Sequence, residues 1–194
     1  GKTEWVLKSA VGKNERIYAI GDIHGRLDCL QSIHGQIRKE CAETGDEHCL
    51  VIYLGDYIDR GPDSRGVIDE LLYSGADFDQ VFLLGNHEHA MALFLRDKLP
   101  YSTWMTWGGD ATVRSYGVNP CPESASHQEV ARLRSLLLES MPPDHRSFFE
   151  SLVPFHVEGD YLFVHAGVRA GVELEDQQLE DLLMIRHEFL SEAV

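Results

Sequence analysis

Long hydrophobic runs are missing from this chain of 194 residues. None approaches the roughly 18 apolar residues of a membrane-crossing helix. Positive charge is scarce too: 17 Lys and Arg stand against 32 Asp and Glu, for a formal net charge of −15. That balance argues against a nucleic-acid backbone or an anionic membrane as the main partner, since both ask for a cationic face. The first residues, Gly-Lys-Thr-Glu-Trp, lack the apolar core of a signal peptide, and they also lack an initiator Met, so export stays open. Cysteine is sparse. Cys29, Cys41, Cys49 and Cys121 show no Cys-x-x-Cys spacing, so neither a zinc knuckle nor a redox pair is expected. Reduced thiols in a cytoplasmic protein are the expectation. Repeats, low-complexity stretches and long linkers are absent as well, and the length suits one compact domain over residues 1–194.

What the chain has is one arrangement used three times. Gly-Asp-Ile-His-Gly at 21–25, Gly-Asp-Tyr-Ile-Asp-Arg-Gly at 55–61 and Gly-Asn-His-Glu at 85–88 each follow an apolar, β-branched run. Those runs are Ile17–Ile20, Val51–Leu54 and Val81–Leu84. Hard oxygen ligands and imidazoles therefore recur where a buried strand emerges into a loop. Open α/β sheets place their chemistry there, outside the carboxyl ends of the strands.

The coarse reading is strand (Arg16–Ile20), helix (Leu27–Glu43), strand (Cys49–Leu54), helix (Ser64–Tyr73), strand (Gln80–Leu84) and helix (Glu88–Arg96). Leu27, Leu30, Ile33, Ile37 and Cys41 recur at the spacing of one buried helical face. Asp63 or Ser64 caps the second helix, which buries Val67, Ile68, Leu71 and Leu72. Alternating elements of this length predict an α/β fold, a βαβαβ core with a parallel sheet. Residues 98–150 break the pattern and read as a helical insert, with a helical run from Glu129 to Glu139. Strands return at Phe155–Val157 and Tyr161–Val164, the latter leading to His165-Ala166-Gly167.

Asp22 and His24 stand two apart at a strand end, where an extended backbone points both side chains one way. The two carboxylate oxygens of Asp56 can bridge two ions, and Asn86 and His165 add an amide oxygen and an imidazole. Such a mixed set suits Mn²⁺, Fe²⁺ or Zn²⁺ better than Ca²⁺, which takes oxygen alone. Two ions roughly 3.5–4 Å apart form the clamp used for in-line phosphoryl displacement.

With these motifs the chain resembles the calcineurin-type metallophosphoesterases, and among them the phosphoprotein phosphatases of the bacterial and bacteriophage-lambda kind. The resemblance runs from about Arg16 to Arg186. It implies a four-layer sandwich and a phosphomonoesterase with two divalent ions, Mn²⁺ first. The substrate it implies is a phosphoprotein or phosphopeptide, with serine/threonine or dual specificity. Asp22 and His24 would hold the first metal, Asp56 would bridge, and Asn86 and His165 would hold the second. His87 would be the general acid, oriented by Asp59. Arg60 would fork onto the phosphate beside Asn86, with Arg186 as a second phosphate-binding arginine. A metal-bridging hydroxide would attack phosphorus directly, in keeping with the absence of a Cys-x5-Arg signature.

One departure stands out. Relatives add a second histidine from a Gly-His-Thr-like motif downstream of the position matching Arg186, and this sequence stops at Val194. The second metal site is thus expected to be one ligand short and the closing strands absent; His187, inside a helical Ile185–Phe189 stretch, is no substitute. Two rival readings remain. A symmetrical diadenosine tetraphosphate hydrolase is the first, although those relatives tend to carry Ala where this chain has Asp59. A non-catalytic phosphate-binding module is the second.

Overall fold

A computed structural model describes residues 15–44, 48–74 and 79–192. Its centre is a parallel sheet of β1 (Glu15–Ile20), β2 (His48–Tyr53) and β3 (Asp79–Phe82), ordered β1-β2-β3. Val51, Ile52 and Tyr53 of the middle strand are fully buried. A strand covered on both faces and both edges has no polar alternation to keep, which explains its continuous apolar run. Strand register sets where the loops emerge. Ile20 pairs with Tyr53, and Tyr53 with Phe82, so all three strands end at one level and their loops open side by side.

The crossovers are α1 (Leu27–Thr44) and α2 (Ser64–Tyr73), as the periodicity predicts. Asp63 is the cap of α2: its Oδ1 accepts the Gly66 N–H at 2.8 Å. The predicted stripe of α1 holds at Leu30 and Ile37, with Leu27 and Cys41 packed against the core, and departs at one position. Leu30, His34 and Ile37 point inward, while Ile33 is 37% exposed. His34 is tolerated inside because Glu70 and the Tyr53 hydroxyl each meet one of its ring nitrogens at 2.8 Å.

α3 begins at Asn86 and runs to Leu95, two residues ahead of the expected start at Glu88. Its first turn is drawn forward because the Glu88 carboxylate accepts the Gly85 N–H at 3.1 Å. Residues 98–150 are indeed helical: α4 (Tyr101–Thr106), α5 (Gly109–Ser115), α6 (His127–Ser140) and the start of α7 (Pro143–Ser151). Phe94, Trp104, Val113, Leu137 and Phe148 from these helices close the core over the sheet. β4 (Phe155–Glu158) and β5 (Tyr161–Val164) form an antiparallel pair, followed by α8 (Leu179–Met184) and α9 (His187–Glu192). A single parallel bridge, Leu83 to Val153, leads from β3 toward that pair.

The expectation of four reduced thiols is corrected. Cys41 and Cys49 are joined in a disulfide, while Cys29 and Cys121 are free. The last turns of α1 and the first residues of β2 fold back on each other, bringing the two Cα atoms to 6.5 Å, within bridging range. Sequence spacing cannot show that return, and the thiol argument for the cytoplasm loses its footing. No helix among the described residues is long and apolar enough to cross a membrane.

Candidate metal centre

The first two loops leave the sheet under strain. His24 (φ 45°), Asp56 (57°), Asp59 (70°) and Arg60 (66°) all hold left-handed backbone, a region where side chains cost energy. Something must pin them there, and Glu88 does so for the middle loop. Its fully buried carboxylate accepts the N–H groups of Asp56 (2.9 Å) and Gly85 (3.1 Å) on one oxygen. The other oxygen takes those of Tyr57 (2.8 Å) and Ile58 (3.2 Å). Burial pushes the Glu88 pKa up to about 8, and the charge of Asp56 pushes the same way. The four N–H groups pull against both, because they meet lone pairs of the ionised form. The second loop and the third touch so closely that a Cβ on Gly85 would collide with the backbone and carboxylate of Asp56.

Glu88→Gln is therefore expected to cost about 2–3 kcal/mol, since the new amide turns an NH₂ toward N–H donors already there. Urea unfolding measures it. A variant as stable as the parent would show that the four contacts carry no net free energy.

Around this frame the predicted ligands converge. Asp56 is buried, and its two oxygens face two different histidines: Oδ2 lies 3.6 Å from His24 Nε2, and Oδ1 lies 3.6 Å from His165 Nε2. Asp22, whose side chain is more than half exposed, comes within 3.7 Å of His24 Nε2 from the solvent side. Both imidazoles are fixed by their far nitrogen. His24 Nδ1–H donates to the Ile58 carbonyl at 2.8 Å, and His165 Nδ1–H to the Leu54 carbonyl at 2.7 Å. Each ring therefore turns its Nε2 lone pair into the cluster.

Those lone pairs test whether a metal fits. His24 Nε2 is buried and has no hydrogen-bond partner among the described residues, although buried polar atoms are ordinarily satisfied. His165 Nε2 faces the Asn86 amide oxygen at 2.8 Å. Two acceptors in contact call for positive charge between or beside them. Separations near 3.6 Å are too long for hydrogen bonds and suit donors sharing one cation at about 2.0–2.2 Å each. The donor set fits a divalent ion. Asp22, Asp56 and His165 lie within mutual reach of one ion, and so do His24, Asp56 and His87.

His87 has other engagements. Its Nδ1 meets Asp59 Oδ2 at 2.8 Å, and its Nε2 receives an Arg60 N–H at 3.0 Å. A guanidinium on that nitrogen disfavours a metal there. His87 is almost wholly buried against the Trp107 ring, at 5.5 Å between centroids, while Arg60 is exposed. Arg186 is exposed between α8 and α9, and no hydrogen bond or ion pair among the described residues joins its guanidinium to the cluster. His187 is exposed at the start of α9.

Sequence reasoning missed Glu88, Trp104 and Thr112. Glu88 had a signal, as the third residue of a helix whose cap is glycine. Trp104 and Thr112 donate to the Asp59 carboxylate from 45 and 53 residues downstream, a distance over which no local pattern speaks.

Residues 15–193 match the model of the family described as calcineurin-like phosphoesterase. The chain belongs to that family. Serine/threonine-protein phosphatase 1 of Salmonella typhimurium is 31% identical to this phosphoesterase domain over 142 residues, 73% of the chain and 57% of the relative. The zinc-dependent endopolyphosphatase of Saccharomyces cerevisiae is 30% identical over 176 residues, 86% of the chain and 51% of the relative. Serine/threonine-protein phosphatase 2 of Escherichia coli is 38% identical over 94 residues, 48% of the chain and 38% of the relative. The phosphoesterase domain thus spans roughly half the length of these relatives. A crystal structure described as a candidate diadenosine tetraphosphatase shares its fold, with a TM-score of 0.52 at 21% identity over 91% of this chain and 61% of that one.

Proposed function

We propose that this domain carries the metal-binding core of a phosphomonoesterase acting on serine or threonine phosphates in proteins. The observation that supports it most is Asp56, with one oxygen toward His24 and the other toward His165. That division suits one carboxylate shared by two ions. On the division that the resemblance implies, Asp22 and His24 would complete one side and Asn86 and His165 the other. Carboxylate, imidazole and amide donors together favour Mn²⁺, with Fe²⁺ and Zn²⁺ as alternatives. Divalent ions held there supply Lewis acidity to a phosphoryl oxygen and lower the pKa of a bound water.

The remaining chemistry belongs to side chains. Arg60, exposed and resting on His87 at 3.0 Å, swings to two phosphate oxygens in a planar fork. That frees His87 Nε2 to carry the proton for the departing alkoxide, while Asp59 holds Nδ1–H. Asn86 and, more remotely, Arg186 add donors to the phosphate. The names of the two bacterial relatives point to phosphoproteins, and this chain has Asp59 where symmetrical dinucleotide hydrolases tend to carry Ala.

One observation favours the dinucleotide reading. A cavity of about 560 Å³ shares Asn86 and Trp107 with the site and continues along Leu93, Leu179 and Leu183, room enough for a nucleobase. The test assays the Mn²⁺-loaded protein on a phosphoserine peptide and on diadenosine tetraphosphate. Phosphate release from the peptide is expected. Cleavage of the dinucleotide alone would establish the second reading, and phosphate binding without turnover on either would establish a non-catalytic module.

A further inference from the structure

The Asp59–His87 pair is held by the helical segment rather than by the sheet. Asp59 is fully buried, and its carboxylate meets three donors: His87 Nδ1–H at 2.8 Å and Trp104 Nε1–H at 2.9 Å on Oδ2, and the Thr112 hydroxyl at 2.6 Å on Oδ1. The Thr112 hydroxyl has one hydrogen, and it goes to that carboxylate. Its lone pairs then accept the backbone N–H of Asp59 at 2.9 Å and the Ser64 hydroxyl at 3.0 Å. Next along the chain, the Arg60 N–H donates to the Gly108 carbonyl at 3.1 Å. Gly108 itself sits at φ 93°, and a Cβ there would stand 2.7 Å from the Arg60 nitrogen. All these contacts converge on two consecutive left-handed residues, a conformation that persists only where surroundings over-determine it.

We propose that Trp104 and Thr112 are positioning residues for hydrolysis. They aim the Asp59 carboxylate so that His87 keeps its proton on Nδ1 and turns Nε2 to the substrate. Without them the carboxylate is free to rotate, the ring loses its fixed partner, and the opposite tautomer competes. The kinetic consequence rests on the phosphomonoesterase reading; the effect on the ring does not. Trp104 also packs on Phe94, with centroids 4.8 Å apart, so the test must separate its N–H from its bulk.

Trp104→Phe keeps a ring and removes the N–H; Thr112→Val keeps the shape and removes the hydroxyl; Thr112→Ser restores it. The first two are expected to lower kcat on an alkyl phosphoester about 10–100-fold, by analogy with losing a group that orients a metal-bound imidazole. KM and metal content should stay at parent values, and the loss should be smaller on p-nitrophenyl phosphate, whose phenolate leaves unaided. Thr112→Ser should track the parent. The second measurement is the ¹H–¹⁵N spectrum of the His87 ring in metal-free protein, assigned by its disappearance in His87→Asn. The parent should show Nδ1–H alone, and Thr112→Val a mixture of tautomers. A single parent-like tautomer in both variants, or equal kcat losses on both esters, would overturn the proposal and leave core packing as the role. If Trp104→Phe fails to fold, the Thr112 pair decides alone. A parent inert toward every phosphoester, with the tautomer shift present, would remove the functional reading while upholding the positioning role.

Discussion

Asp56→Asn is expected to empty the centre of its ions and lower turnover by at least about 10³-fold, the loss of several kcal/mol of Lewis-acid stabilisation. The reason is geometric and electrostatic. Asp56 lies under Glu88-bound backbone and is almost wholly buried, with an oxygen toward each of two histidines whose Nε2 lone pairs point inward. An amide has one oxygen and no charge, and its NH₂ would donate to one of those lone pairs instead of sharing a cation with it. The fold should survive, because the backbone contacts of residue 56 to Glu88 need no side chain, and a buried charge has been removed. Metal analysis, unfolding and phosphoester assay on one preparation read all three quantities. A variant that keeps two ions and near-normal activity would rule out the bridging role.

His87→Asn should lower kcat about 10²–10⁴-fold on an alkyl phosphoester, the range for removing a positioned proton donor. Here the loss depends on the leaving group. An alkoxide needs the proton that His87 Nε2 carries; p-nitrophenolate does not, so the fall on that ester should be far smaller. Ion content should barely change, since the Nε2 of His87 is occupied by Arg60 at 3.0 Å and not committed to the cluster. Equal losses on both esters would refute the proton-donor role. Loss of an ion together with activity would instead make His87 a ligand, grouped with His24 and Asp56.

The convergence of the candidate ligands was legible because it depends on short-range rules. Gly-Asp-Ile-His-Gly, Gly-Asp-Tyr-Ile-Asp-Arg-Gly and Gly-Asn-His-Glu each come after a strand, and parallel strands joined by helices must send their carboxyl ends the same way. The in-register endings at Ile20, Tyr53 and Phe82 then do the rest. His165 was legible for the same reason, as the first residue after β5. The inner face of α1 was legible at Leu27, Leu30, Ile37 and Cys41 but not at Ile33 and His34, because hydropathy assigns a histidine to the outside; only its partners Glu70 and Tyr53, 36 and 19 residues away, make His34 an inside residue.

By itself the sequence determined the α/β core, the order of its loops and the chemical type of the candidate ligands. Those depend on hydrophobic periodicity and on residue chemistry at fixed offsets. Tertiary structure alone decided which oxygen of Asp56 faces which histidine, which ring nitrogen is free, and what holds the strained Asp59–Arg60 turn. The Cys41–Cys49 bridge and the buried carboxylate of Glu88 are of the same kind. Each depends on how separate elements are set against one another in space, and a linear pattern records spacing along the backbone, not the directions in which donors and lone pairs finally point.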